Sequence, residues 1–178
     1  MIRFVILVVL FLFCFTSSYA TKGVDVEAIC QTSKNPSFCE NLLKSKPGGV
    51  GGDLSSLAKY TIDVLRTDVS NTIDVITKLI EKSGSDPMKQ NKYKNCLSLF
   101  EMEDGALSEV EESLEMLENS DYNGLNVHMT VVMTNADECL TGDSDDSWAQ
   151  DTPELSKNVR IVDQVAQIIL IISNMLRN

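Results

Sequence analysis

Histidine and positive charge are both scarce in this sequence. Among 178 residues there is one histidine, His128, and there are 15 Lys and Arg against 26 Asp and Glu. A single histidine removes most zinc sites, which draw on several His and Cys side chains. The net charge of −11 argues against binding to nucleic acid or to an anionic membrane surface, because both need clustered Lys and Arg.

The chain has five cysteines, an odd number, which would be unusual in a secreted protein because its cysteines normally pair in disulfides. The N-terminal segment explains this number. It combines Arg3, an apolar run over residues 4–15, and the small residues Ser18 and Ala20 at the −3 and −1 positions of a cleavage site. This pattern predicts a secretory signal peptide over residues 1–20. The alternative is an N-terminal membrane helix, for which the apolar core is too short.

Removal of the signal peptide changes the counts for the mature domain, residues 21–178. Cys14 and Arg3 are lost, which leaves four cysteines and 14 basic against 26 acidic residues, a net charge of −12. Asn35 is followed by Pro36, so the sequence has no Asn-x-Ser/Thr acceptor. The mature protein is therefore predicted to be extracellular, disulfide-bonded, not N-glycosylated and without a membrane span.

Apolar residues recur at intervals of three and four along the mature chain, which is the period of an amphipathic α-helix. Four such stripes predict an all-α fold, a four-helix bundle with up-down-up-down topology. In the second stripe, Glu103 occupies the one position where an apolar residue is missing, and the helix is predicted to continue through it. The stripes are Leu54, Leu57, Thr61, Leu65, Val69, Thr72, Ile76 and Leu79; Tyr93, Cys96, Phe100, Leu107, Val110, Leu114 and Leu117; Leu125, His128, Val132, Ala136 and Cys139; and Leu155, Val159, Val162, Ala166, Ile169 and Leu176.

Local signals mark the ends of these helices. Asp53, Asp86 and Asp121 are predicted N-caps, since a carboxylate accepts hydrogen bonds from the free N–H groups of a first helical turn. Pro153 is expected to open the fourth helix, and Gly84 to end the first.

A smaller unit precedes the bundle. Val24 to Cys30 and Pro36 to Lys44 are predicted to form a short α-hairpin over about residues 24–46. A Gly-rich linker, residues 47–52, then leads into the bundle, residues 53–178.

The four mature cysteines lie in these two units. Cys30 and Cys39 flank the turn of the hairpin, and a disulfide there would staple it. Cys96 and Cys139 lie on the second and third bundle helices. Four cysteines permit three pairings. Sequential pairing matches the local units best, although spacing alone does not prove it.

The sequence offers little for catalysis. His128 lies at a mostly apolar position, where a packed histidine is the simpler interpretation than an active-site base. No nucleophile elbow accompanies it, and the Gly-rich linker has no Lys to bind a phosphate. We predict that the chain is not an enzyme and has no cofactor.

The acidic residues Asp143, Asp145, Asp146 and Asp151 suggest a calcium loop, but the pattern of an EF-hand is not met. Trp148 stands where that loop needs glycine, and no Glu occupies its twelfth position. We predict a solvated loop between helices and no metal site. Trp148 is expected to pack over an end of the bundle, with an exposed contact residue as the alternative.

Several motifs resemble one known family, the plant invertase and pectin methylesterase inhibitors. Thr32 and Pro36 between Cys30 and Cys39 resemble its opening motif. Residues 120–126 are similar to its G-D-Y-x-x-L-N segment, residues 134–139 to T-N-A-x-T-C, and residues 168–176 to its apolar C-terminal helix ending in S-N-x-L. The resemblance covers the mature chain. It implies Cys30–Cys39 and Cys96–Cys139 pairing, and an α-hairpin attached to an up-and-down four-helix bundle.

Two features depart from the family pattern after Cys96. The family usually shows C-x-x-x-Y-x-D-A, and here Phe100 replaces the Tyr and Met102 the Asp. About three additional residues also precede Asp121, just under one helical turn, and we expect the helix to absorb them by local overwinding.

The start of the third bundle helix distinguishes the two branches of the family. Invertase inhibitors that resemble this chain often carry Pro-Lys-Phe after the aspartate. Here Tyr122, Asn123 and Gly124 occupy those positions, a form more like the pectin methylesterase branch.

The resemblance implies a secreted inhibitor of cell-wall pectin methylesterase in the apoplast. It would bind non-covalently, in a 1:1 complex, across the pectin-binding cleft, with the second and third helices covering the catalytic carboxylates. The predicted contacts are Asp121, Tyr122, Asn123, Asn126, Asn135 and Asp137. For Asp121 the contact role and the N-cap role are compatible. Direct pectin binding is not expected, because de-esterified pectin is a polyanion and the mature chain carries −12.

Three alternatives are retained. The first is inhibition of a cell-wall or vacuolar invertase. The second, from another class, is a secreted helical-bundle receptor ligand without inhibitory activity. The third is an enzyme that uses His128.

Overall fold

The computed structural model of the chain describes residues 24–142 and 152–177, which fold into helices without β-strands. The predicted signal peptide, the acidic stretch 143–151 and Trp148 within it lie outside these residues. The helices described are α1 Val26–Cys30, α2 Pro36–Lys44, α3 Leu54–Lys82, α4 Pro87–Glu101, α5 Ala106–Glu118, α6 Tyr122–Thr141 and α7 Pro153–Arg177.

Helices α1 and α2 form the N-terminal hairpin. The Asp25 carboxylate accepts a hydrogen bond from the Ala28 N–H at 3.1 Å, and the Asn35 side chain accepts one from the Phe38 N–H at 3.2 Å. These contacts fix the first turn of each helix. The Cys30–Cys39 disulfide links the two helices, and both cysteines are fully buried.

The predicted caps are present at the ends of the bundle helices. Asp53 accepts from the Ser56 N–H at 2.6 Å at the start of α3, and Asp86 accepts from two N–H groups at the start of α4. Gly84 lies just beyond the end of α3 with a φ of +54°, the left-handed conformation that favours glycine. Pro153 begins α7 as expected.

The second bundle helix is interrupted, so the prediction of one helix through Glu103 is wrong. Helix α4 ends at Glu101, Met102 turns to extended backbone with a ψ of 173°, and α5 begins at Ala106. The Gly105 N–H donates to the Met102 carbonyl at 2.7 Å, which closes a tight turn. The chain therefore leaves the helical conformation here and does not overwind.

Two residues hold this interruption in place. At Gly105 a Cβ atom would lie 2.8 Å from both the backbone nitrogen and the carbonyl oxygen of Met102, so the backbone leaves no space for a side chain. The Asn135 side chain of α6 donates from Nδ2 to the Asp104 carbonyl at 3.1 Å. That carbonyl has no partner within a helix, and the amide satisfies it.

The bundle has four positions, occupied by α3, by α4 together with α5, by α6 and by α7. Helix α7 packs against α3 and α6, while α4 and α5 lie between α3 and α6. The Cys96–Cys139 disulfide joins α4 to α6. The predicted all-α architecture, a four-helix bundle preceded by a stapled α-hairpin, is confirmed.

Helix α7 contains a long apolar stretch. By length and composition it could cross a membrane. Nine of its residues are buried inside the bundle, including Val159, Val162 and Ile169. Each such aliphatic side chain contributes about 1.5–3 kcal/mol when removed from water. This burial identifies α7 as the core helix.

Candidate functional site

The predicted contact residues begin at a sharp corner between α5 and α6. Ser120 adopts a left-handed φ of +58° after α5, and the Asp121 N–H donates to the Met116 carbonyl at 2.8 Å. This is a Schellman motif, which satisfies the free carbonyls of a helix end. The Asp121 carboxylate then accepts from the Gly124 N–H at 2.9 Å and starts α6. Asp121 therefore acts as an N-cap, and its carboxylate is exposed at the corner.

The C-terminal end of α7 holds this corner from the other side. The Ser173 hydroxyl donates to the Tyr122 carbonyl at 3.0 Å. The next contact joins two amides, with Asn126 Nδ2 donating to Asn174 Oδ1 at 2.9 Å. Four of the six predicted contacts, Asp121, Tyr122, Asn123 and Asn126, are thus grouped at one end of the bundle.

A third contact at this corner involves Arg177, whose guanidinium donates to Asn123 Oδ1 at 3.0 Å. Asn123 remains exposed, so its amide can still reach a partner.

The other two predicted contacts lie further along α6. Asn135 is only 8% exposed, and its amide holds the interruption between α4 and α5. It supports the surface and does not belong to it. Asp137 is exposed, near a cavity between α6 and α7. The structure therefore separates Asn135 and Asp137 from the group near Asp121.

The outer face of α6 is uncharged over most of its length. Asn123, Val127, Thr130 and Thr134 are exposed and follow one another at intervals of four, three and four residues. We call these four residues the α6 stripe. No Lys, Arg, Asp or Glu occurs from residue 122 to residue 136, although 23% of the chain is charged. Val127 is 62% exposed, which is high for a large aliphatic side chain.

The two threonines make the α6 stripe more apolar than their hydroxyls suggest. The Thr130 hydroxyl donates to the Asn126 carbonyl at 2.7 Å, and the Thr134 hydroxyl donates to the Thr130 carbonyl at 2.9 Å. With both hydroxyls bonded to the helix backbone, fewer of their hydrogen-bonding positions remain for water. The sequence analysis did not identify this stripe, although the absence of charge from residues 122–136 was visible in the sequence.

Helix α5, which packs against α6, is acidic. Helix α5 contains no Lys or Arg and five glutamates, of which four are exposed: Glu111, Glu112, Glu115 and Glu118. Of these, Glu112 lies 3.9 Å from His128 of α6, whereas Glu118 pairs with Lys59 of α3 at 3.7 Å.

The surface between α6 and α7 is of mixed charge. A cavity of about 560 Å³ lies between α6 and α7 and is lined by Lys34, Asp137, Arg160 and Asp163 among others. Burial raises the pKa of Asp163; Lys34, with its Nζ 3.9 Å from the carboxylate, lowers that pKa, and the charge of Asp137 raises it.

His128 contacts α5 and not the outer face. Its Nδ1 lies 2.7 Å from Glu109 Oε2, and its Nε2 lies 3.9 Å from Glu112 Oε2. The packed histidine expected from the sequence is what the structure contains. Within residues 24–142 and 152–177 no group of His, Cys, Asp and Glu is arranged to hold a metal ion.

The fold and this site define a class of protein: a disulfide-stapled helical bundle that presents one uncharged helix face, on α6, next to an acidic helix, α5. The family described as plant invertase/pectin methylesterase inhibitor matches residues 24–175. Pectinesterase inhibitor 1 of Arabidopsis thaliana is 30% identical over 167 residues, which are 94% of this chain and 90% of that protein. The pectinesterase inhibitor of Actinidia deliciosa is 25% identical over 173 residues, 96% of this chain and 90% of that protein.

Solved structures agree with these relatives. The crystal structure of mutant form A of a pectin methylesterase inhibitor from Arabidopsis matches with a TM-score of 0.70 and 29% identity, over 84% of this chain and 95% of that one. The chain belongs to the plant invertase/pectin methylesterase inhibitor family. Because this is a family of inhibitors, the prediction that the chain is not an enzyme is confirmed, and the receptor-ligand and His128 alternatives are not favoured.

Proposed function

We propose that this protein inhibits a pectin methylesterase by placing the α6 stripe across the pectin-binding cleft of the enzyme. The observation that carries the proposal is the uncharged stripe itself, with Val127 62% exposed at its centre. The centres of protein–protein interfaces are depleted in charged residues, whereas ordinary solvent-facing helices are not. Its relatives named as pectinesterase inhibitors supply the target.

The negative charge of α5 would steer the approach of the enzyme towards this side of the inhibitor. The exposed glutamates of α5, the helix packed against α6, attract a partner whose cleft is bordered by Lys and Arg, and such steering raises the association rate more than the affinity. Inhibition would be non-covalent with one inhibitor per enzyme, because a single stripe provides one docking face. The inhibitor supplies no chemistry and acts by excluding pectin.

Residues at both ends of the stripe extend the contact. Asp121, Tyr122, Asn123 and Asn126 form one end, and Asp137 the other. Asn135 contributes indirectly, because its bond to the Asp104 carbonyl fixes the interruption beside the stripe. The preformed corner limits the conformational entropy lost on binding.

The site of action proposed is the plant cell wall. Residues 1–20 have the pattern of a cleaved signal peptide, and the two disulfides suit an oxidising compartment. The inhibitor domain would then span residues 21–178, with the hairpin, linker and bundle proposed from the sequence.

The test is titration of the purified protein against a pectin methylesterase and, separately, an acid invertase. We expect loss of pectin methylesterase activity at equimolar inhibitor. Loss of invertase activity alone would move the assignment to the other branch, and loss of neither would contradict the proposal.

A pair of matched variants tests the stripe. Thr130 and Thr67 are both exposed threonines whose hydroxyls donate to the carbonyl four residues earlier, on α6 and α3 respectively. Thr130→Arg places a large charged side chain within the stripe and should weaken inhibition by about tenfold or more. Thr67→Arg adds the same charge on another face and should leave inhibition unchanged. Equal effects would exclude the α6 stripe as the docking face.

A further inference from the structure

A second surface lies between the hairpin and the first half of α7. A groove of about 650 Å³ separates the two, within the range of roughly 300–1,000 Å³ that is usual for small-ligand sites. Phe38 from α2 and Ile161 from α7 contribute apolar surface to it. Lys157 and Arg160 contribute cations, and none of the described residues that line it is Asp or Glu.

The cationic side of this groove is one face of α7. Lys157, Arg160, Ile161 and Gln164 follow at positions i, i+3, i+4 and i+7, which places them side by side along the helix. Neither Lys157 nor Arg160 forms an ion pair within residues 24–142 and 152–177. Among the described residues, the groove therefore contains two cations without an ion pair and no carboxylate in its lining, although Arg160 also borders the cavity that holds Asp137 and Asp163.

Hydrogen bonds across the groove fix its two walls relative to each other. Asn35 Nδ2 donates to Gln164 Oε1 at 3.1 Å, and the backbone N–H of Lys34 donates to Gln167 Oε1 at 3.0 Å. Phe38 is half-buried at the edge of the core. The groove is therefore formed before any ligand arrives, which lowers the entropic cost of binding.

We propose that this groove binds an acidic oligosaccharide, a short run of uronate units such as de-esterified pectin contains. The ring of Phe38 offers a flat surface for the C–H face of a sugar. Arg160 can receive a carboxylate through two parallel N–H bonds, and Lys157 as a point charge. The amides of Asn35 and Gln164 are of the type that hydrogen-bonds sugar hydroxyls.

The negative net charge does not prevent such binding. At 0.1 M ionic strength charges more than about 10 Å apart are largely screened, so the local balance in the groove decides. The expectation from the sequence, that pectin is repelled, treats the charge as evenly spread. The choice of a uronate rests on the proposed function, while an acidic peptide is the competing occupant.

Calorimetric titration with a hexamer of galacturonic acid tests the inference. The double variant Lys157→Ser, Arg160→Ser should weaken binding by about tenfold or more, because both charge-assisted contacts to the carboxylates are lost. The control Lys89→Ser, Lys94→Ser removes the same charge from exposed positions of α4 and should change binding by less than about twofold. The fully methyl-esterified hexamer should bind at least about tenfold more weakly than the free acid.

Three results would overturn the inference: no heat with millimolar hexamer, equal weakening by the two double variants, or hexaglutamate binding the groove as tightly as the saccharide. No enzyme is present in this measurement. A protein that binds the hexamer without inhibiting pectin methylesterase contradicts only the proposed function. A protein that inhibits the enzyme but does not bind the hexamer contradicts only this inference.

Discussion

Nδ1 of His128 on α6 lies 2.7 Å from Glu109 Oε2 on α5, and the two side chains are only 16% and 13% exposed. The single histidine of the chain therefore links two helices of the bundle. A close pair with this little access to solvent is much more sensitive to loss of one partner than an exposed pair.

Replacement of His128 by leucine should lower the free energy of unfolding by about 2 kcal/mol, because the Glu109 carboxylate is left buried without its partner. Urea unfolding measures the change. The control change is Glu112→Gln. The Glu112 side chain is 57% exposed and its Oε2 lies 3.9 Å from His128 Nε2, so its replacement should cost less than about 0.5 kcal/mol. Equal losses in the two variants would contradict the role given to the His128–Glu109 pair.

The left-handed conformation of Ser120 makes the corner before α6 a site for stabilisation. Ser120→Gly should raise the free energy of unfolding by about 0.5–1 kcal/mol, because glycine adopts a φ of +58° without the steric cost of a Cβ atom. Thermal unfolding provides the measurement. Ser120→Ala retains the Cβ and should give no gain, so a similar gain from alanine would rule out this explanation.

The interruption between α4 and α5 should not tolerate a side chain at Gly105. Gly105→Ala should destabilise the protein by about 1–3 kcal/mol, since its Cβ would meet backbone atoms of Met102 at 2.8 Å. Gly51 in the linker has nothing within 4 Å of the corresponding position, so Gly51→Ala should be close to neutral. Denaturant midpoints of the two variants test this, and a tolerated Gly105→Ala would show that the turn can open.

Asp68 on α3 gives a prediction for pH. Burial raises the pKa of its carboxyl, so the folded protein holds this proton more tightly than the unfolded chain does. The stability that the group contributes is complete below the ordinary aspartate pKa and is lost as the pH rises through the raised value. Asp68→Asn removes this loss and should make the protein more stable than the parent at pH 7.

The pH dependence of that difference is the diagnostic measurement. The advantage of Asp68→Asn should shrink as the pH falls from 7 towards the ordinary aspartate pKa, because the parent carboxyl then becomes protonated. Urea unfolding at several pH values measures it. Asp63→Asn, at an exposed position of the same helix, serves as the control. An advantage that is constant with pH would indicate a cause other than burial of the charge.

Local signals in the sequence predicted most helix ends. Asp53, Asp86, Asp121 and Pro153 mark helix starts by interactions within the first turn, which depend on neighbours in the sequence alone. The interruption at Met102 was different. Phe100 and Leu107 are seven residues apart, a spacing that a continuous helix also produces, so the apolar period could not reveal a break between them.

The surface was harder to predict than the fold. Asn135 was expected to reach a partner, but it faces inwards because the broken helix leaves the Asp104 carbonyl to be satisfied. The groove at Phe38 combines residues more than one hundred positions apart in the sequence, which no local pattern brings together. The α6 stripe could be predicted in part. Its lack of charge is visible in the sequence, whereas the exposure of its residues depends on how α6 packs in the bundle.

The interruption at Met102–Gly105 also determines how the bundle opens. Helix formation is cooperative along a continuous ladder of hydrogen bonds, and this ladder ends at Met102. Besides the apolar core that both segments share, α4 is joined to α6 by the Cys96–Cys139 disulfide and α5 by the His128–Glu109 pair. We therefore expect reduction of that disulfide to loosen α4 as a separate unit of hydrogen exchange, while α5 and the face beside it keep their protection.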